Sequence, residues 1–120
     1  MAYTTLNVLK SNGLFKSYSQ NFAPITAGKL EFDISDTKDP IALFIDIPNG
    51  ATGTFTLTFE KNNKSVSLAA EKLNVIHITS KNLVNADGKI RFTLLTSNSS
   101  GITNLNIKAA AVSYTAVINH

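Results

Sequence analysis

The chain has 120 residues, eleven Lys and Arg against eight Asp and Glu, a net charge of +3 and no cysteine. That length fits one domain able to bury a core without staples, and the missing thiols exclude a disulfide framework, a CxxC site and thiolate catalysis. The pI near 9.3 comes from scattered lysines and one arginine, Arg91, a solvated surface rather than the basic stripe of a nucleic-acid reader. No basic-then-apolar leader and no membrane-spanning run is visible, so neither nucleic acid nor membrane is expected as a partner.

Tyr3 to Leu9 is a candidate strand. Ser11 to Gly28 then mixes Phe15, Tyr18 and Phe22 with Gly, Ser, Asn and Pro and keeps no clean period. Residues 1–29 therefore read as an N-terminal arm or long connection ahead of a domain at 30–120, all within one structural unit. Aromatic side chains in so polar a segment need a place to pack. Either they anchor on the domain's own core, the reading favoured here, or some reach a neighbouring subunit.

Leu30 to Ile34 alternates apolar and acidic residues as a half-buried strand does. Ile41 to Ile47 is apolar at nearly every position, which predicts a central strand buried on both faces or covered by a partner. Pro48 to Gly53 is a turn, and Thr54 to Glu60 alternates cleanly, with Phe55, Leu57 and Phe59 on one face. Lys61 to Lys64 suits a hairpin loop, followed by strands at Ser65–Ala69 and Leu73–Thr79. Residues 69–74 and 80–86 have room for one helical turn each. Asn85 to Gly88 is a turn in which Gly can take positive φ. Lys89 to Leu94 alternates again, and Ser97 to Gly101 is a polar loop. Ile102 to Ile118 alternates almost throughout, is too long for one ordinary strand, and is expected to break near Ala110–Ser113. About eight short strands with no helix to form a second layer predict an all-β fold, an antiparallel β-sandwich or a jelly-roll-like barrel.

Catalytic constellations are weak. His77 lies mid-strand, opposite in face to Ile76 and Ile78, and His120 ends the sequence; neither has an Asp or Ser at an informative spacing. The acidic run Glu31, Asp33, Asp36, Asp39 and Asp46 is the best metal candidate. Its 33–40 stretch lacks the glycine of a calcium loop and carries Lys38, so turn and strand-surface residues are the better reading. Asn63-Lys64-Ser65 and Asn98-Ser99-Ser100 match a glycosylation sequon but equally match turn composition. Gly50 and Gly53 precede a strand rather than a helix that could cradle phosphate. No enzyme activity and no cofactor is expected.

The order of these pieces carries a resemblance. The apolar strand 41–47 is followed by a Pro-Asn-Gly turn, the Thr-alternating strand 54–60, Leu68-Ala69-Ala70-Glu71-Lys72, an apolar strand, Leu83-Val84-Asn85-Ala86-Asp87-Gly88-Lys89, and the small-residue strand Thr103–Val112. Over roughly residues 28–112 this resembles the small β-sandwich capsid decoration (head-stabilising) proteins of tailed bacteriophages. Glu71 stands where Gly is commoner in that pattern, and Leu83 where Phe is commoner. The resemblance implies a virion structural protein, made in the host bacterial cytoplasm, that binds the major capsid protein on the outer surface of the head, with a homotrimer favoured. It implies no cofactor and no active site. The segment 1–29, through Tyr3, Phe15, Tyr18 and Phe22, is then the expected partner contact, and its deletion is expected to leave a folded domain. A tail, baseplate or head-fibre component is the first alternative. A carbohydrate-binding module ranks lower, since there is no Trp to form a sugar platform and only three Tyr.

Overall fold

Alternating side chains build the sheets of the computed structural model, which describes residues 3–10, 23–34, 40–79 and 81–113. In chain order the strands are β1 (Thr4–Leu6), β2 (Val8–Lys10), β3 (Ala23–Pro24), β4 (Lys29–Asp33), β5 (Ile41–Asp46), β6 (Phe55–Phe59), β7 (Ser65–Leu68), β8 (Leu73–Ile78), β9 (Lys89–Thr96) and β10 (Lys108–Ser113). One sheet has the order β1-β4-β9-β6-β7. The other runs β2-β10-β5-β8, with β3 also pairing with β10. Pairing is antiparallel except for β1 beside β4 and β2 beside β10. The architecture is an all-β sandwich of two mostly antiparallel sheets, as expected.

Period-two burial explains why the two layers meet. Phe55, Leu57 and Phe59 on β6, Ile90, Phe92 and Leu94 on β9, and Leu30 and Phe32 on β4 all point inward and are almost fully buried. Phe92 sits edge-on between Phe32 and Phe59, with ring centroids 6.2 and 6.1 Å away, the offset geometry that aromatic quadrupoles favour. The second sheet contributes Ile41, Leu43 and Ile45 from β5 and Ala109 and Ala111 from β10 to the same core. β5 lies between β10 and β8, and its outward Ala42 is also buried while Phe44 is half-buried. The central, two-face-buried strand read from Ile41–Ile47 is therefore what forms.

Three expectations are sharpened or corrected. The first concerns residues 1–29, read as an arm or long connection with a candidate strand at Tyr3–Leu9 in one structural unit: the described part of this segment is built into the sandwich. β1 joins the first sheet, the chain crosses over at Asn7, and β2 joins the second sheet. Leu6 and Ile25 are 3% and 5% exposed within the core. Thr4 Oγ1 accepts the backbone N–H groups of Thr26 and Ala27 at 3.1 and 3.0 Å. The period is invisible in sequence because each strand has only three residues and the two face different sheets.

The second correction concerns the C-terminal strand. β10 runs unbroken through Ala110–Ser113, pairing residue by residue with β5 from Lys108↔Asp46 to Ser113↔Ile41. Alanine is a poor strand former, but continuous hydrogen bonding to a central strand outweighs that preference. The break comes earlier, where Ile102–Asn104 forms a 3-10 turn and Asn106 takes φ 57°. The third correction is at 69–74, where the backbone reverses through Glu71 at φ 59° instead of making a helical turn. Lys81–Leu83 does form the single 3-10 turn that residues 80–86 allow.

Candidate functional site

Cross-strand register gathers charge on the outward face of the first sheet. Antiparallel pairing of β4 with β9 places Glu31 opposite Arg91 and Asp33 opposite Lys89, and opposite charges at such positions attract. The Glu31 carboxylate accepts hydrogen bonds from Arg91 Nε at 3.0 Å and Lys89 Nζ at 3.3 Å. Arg91 also donates through Nη2 to Asp87, four residues back in the preceding turn. Tyr3 lies over this cluster. The Arg91 guanidinium carbon is 5.5 Å and Lys29 Nζ 5.9 Å from its ring centroid, within cation–π range. The Tyr3 hydroxyl donates to Glu60 Oε2 at 2.8 Å. The residue before β1 is thus strapped across β4 and β9 to the turn after β6.

These contacts set the protonation states. Burial pushes the Glu31 carboxyl up, but the hydrogen bonds and charges of Arg91 and Lys89 together outweigh it and leave it below its ordinary range. The hydrogen bond from Arg91 is the main cause holding Asp87 low, helped by the Lys89 backbone N–H. Bonding to Asp87 and then to Glu31 raises Arg91. The hydrogen bond to Glu60, with some desolvation, raises the Tyr3 phenol. Glu31 and Asp87 stay ionised at neutral pH, which suits a salt-bridged surface and not a general acid.

Other sequence candidates fall elsewhere. Phe15, Tyr18 and Phe22 lie outside the described residues, as do Asp36, Asp39 and His120. Asp33 is exposed at the end of β4, and His77 is exposed on β8. Among the described residues no group of three or more His, Cys, Asp or Glu could hold a metal ion. Both Asn-x-Ser stretches sit in turns. Asn63 has φ 57°; Asn98 accepts from Ser100 N at 2.8 Å and donates to Thr52 O at 2.9 Å. No helix among the described residues is long and apolar enough to cross a membrane.

A surface that sequence reading missed is the outer edge of β8, which pairs with no other strand among the described residues. Leu73 and Val75 are 53% and 44% exposed; the other large exposed apolar side chain among the described residues is Leu95, 58% exposed. Two of these three stand side by side on an edge strand, on the face turned away from the core. The signal was in the sequence: Leu73 to Ile78 is apolar at both parities except for Asn74 and His77, more apolar than a strand with one solvated face requires. A corner clasp holds this edge. Asn74 accepts Ala69 N–H at 2.8 Å and donates to the carbonyls of Ala69 and Lys72 at 3.0 and 3.1 Å.

Comparison with family models, with curated proteins and with solved structures finds no match to this chain.

Proposed function

We propose that the chain is a non-catalytic virion structural protein, a capsid decoration protein that binds the outer surface of a tailed-phage head through the major capsid protein and stabilises it. The observation that supports this reading most is the backbone at Glu71. In the decoration-protein pattern that the sequence resembles, this position usually holds Gly, and here it takes φ 59°, a conformation that disfavours every residue with a Cβ. The second motif behaves alike, since the glycine of Asn85-Ala86-Asp87-Gly88 has φ 81°. A match between motif glycines and left-handed backbone supports a resemblance of turns as well as of composition. Glu71 gains a local return for its strain, because its Oε2 accepts the Gly50 N–H at 2.8 Å and ties the turn before β8 to the turn after β5.

The physical demands of decoration agree with this scaffold. A rigid sandwich that contributes many identical weak contacts on one particle reaches high avidity without a deep pocket. A trimer at local threefold positions remains the favoured assembly, and a tail, baseplate or head-fibre position is the alternative. The test is to incubate the purified protein with expanded, empty heads of the virus that encodes it, then sediment the particles and image them. Regular added density on the outer head surface and a higher melting temperature of the shell are expected. Protein that stays in the supernatant, or density confined to tails, would overturn the assignment.

A further inference from the structure

We infer that the edge of β8 is a self-association site, where two copies of the chain pair antiparallel about a two-fold axis at Asn74 and join their second sheets into one. The inference stands apart from the capsid reading and needs no other partner.

Hydrogen-bond register supplies the first argument. Ile47 N–H donates to Lys72 O at 3.0 Å, on the same register that pairs Ile45 with Asn74 and Leu43 with Ile76. Hydrogen-bonded pairs alternate along an antiparallel ladder, so the backbone groups of Asn74 and Ile76 face β5 and those of Leu73 and Val75 face outward. β8 has six residues, Leu73–Ile78, with no Lys, no Pro and no bulge in its full register with β5, and no strand among the described residues pairs with its other edge. The free edge at the far end of the other sheet, β7, is shorter and carries Ser65 and Ser67 on its outward face.

Side-chain complementarity names the occupant. A two-fold at Asn74 sets Leu73 of one copy opposite Val75 of the other, the two residues whose backbone groups face outward, and forms about four backbone hydrogen bonds. Phe44 already pairs with Val75, and Asp46 with Leu73. Across the junction the outward rows become Phe44, Val75, then Leu73 of the second copy, and the same again reversed, with Asp46 closing each row on the solvent side. Two half-exposed apolar side chains per copy thus bury one another. With the two-fold at Asn74 the two strands overlap over Leu73–Val75, roughly 10 Å, and cover only on the order of two hundred Å² per copy, well below the ~800 Å² per partner of stable complexes. The dimer is therefore weak and forms at high local concentration, as on a repeating surface.

Sedimentation velocity on the full chain from about 10 µM to about 1 mM tests this, the range in which an interface of this size binds. The mass is expected to rise from monomer to dimer, Val75→Lys to weaken the dimer at least about tenfold, and Leu95→Lys, on the other sheet, to leave it unchanged. Amide exchange on the unmodified chain provides a readout that does not depend on variants folding: the Leu73 and Val75 amides should slow with concentration. A chain that stays monomeric at 1 mM would overturn the inference. So would a dimer that leaves those two amides unprotected or that Leu95→Lys disrupts as strongly as Val75→Lys.

Discussion

Deleting residues 1–10 removes β1 and β2, and it separates a detachable arm from an integral pair of strands. Leu6 is 3% exposed in the core; stripping a side chain of that kind costs about 2–5 kcal/mol. Thr4 Oγ1 bonds the Thr26 and Ala27 amides, and losing a hydroxyl in that role costs about 1 kcal/mol. Half-buried Val8 packs on the same core, and its loss adds roughly 1 kcal/mol. The sum is about 4–7 kcal/mol, a large share of the ~6–18 kcal/mol expected for a chain of this length. Taking a urea m-value of about 2 kcal/mol per molar, the unfolding midpoint should fall by roughly 2–3.5 M, or the truncated chain should not fold. Leu6→Ala alone should lower it by about 1–2.5 M. The assay is urea unfolding followed by circular dichroism. A truncated chain whose midpoint lies within about 0.3 M of the full-length value would refute the integral-strand reasoning and restore the detachable arm.

Phe92→Ala should cost about 3–5 kcal/mol in the same assay, because Phe92 is fully buried and its ring meets both Phe32 and Phe59; a loss under 1 kcal/mol would contradict the packing described. Gly53→Ala should destabilise by about 1–2 kcal/mol, since Gly53 has φ 104° and an added Cβ would lie 2.8 Å from Ser97 Oγ, the atom that accepts the Thr54 N–H; a neutral thermal shift would be inconsistent with that turn. Glu31 and Asp87 have folded pKa values below their ordinary ones, so their stabilisation is complete above about pH 4.5 and is lost as pH falls through the folded values. Glu31→Gln should flatten that acid limb of melting temperature against pH, and an unchanged limb would count against it. Tyr3 is raised, so its contribution is complete below about pH 10 and disappears at higher pH, which Tyr3→Phe should abolish.

The strands legible in the sequence were those with one clean face over five or more residues: 30–34, 54–60 and 89–94. There the core alone dictates the pattern. β5 was legible for the opposite reason, since its outward Ala42 is buried and Phe44 half-buried, so that little of either face is polar. What escaped notice depends on partners distant in sequence. β1 and β2 each follow a strand more than twenty residues away, β4 and β10, in parallel register, and no local period encodes that. The Tyr3 strap joins residues 57 positions apart. The resemblance named Tyr3 as a partner contact, whereas its described contacts are to Lys29, Glu60 and Arg91 of its own chain. The outer edge of β8 was hidden because strand order, not strand sequence, decides which described strand stands last in its sheet.

The two lateral sides of the sandwich differ for a reason that bears on function. On one side the chain passes between sheets at Asn7, and both strands it leaves there, β1 and β2, are short parallel additions, the first overlaid by Tyr3 and its charged partners. On the other side it passes between sheets through Ala69–Lys72 and leaves the six-residue edge of β8 without a paired strand among the described residues. That second crossing is firmly held. Asn74 closes it with three hydrogen bonds to Ala69 and Lys72, and Glu71 fastens it to Gly50. An edge already fixed in extended form loses little conformational entropy when another strand joins it. The strained turn at Glu71 therefore lies at the root of the exposed strand. It sets the direction in which β8 leaves the corner, and with it which two side chains, Leu73 and Val75, face a second copy. Sequence resemblance singled out the turn and strand order singled out the edge, and the two observations meet at the same corner of the molecule.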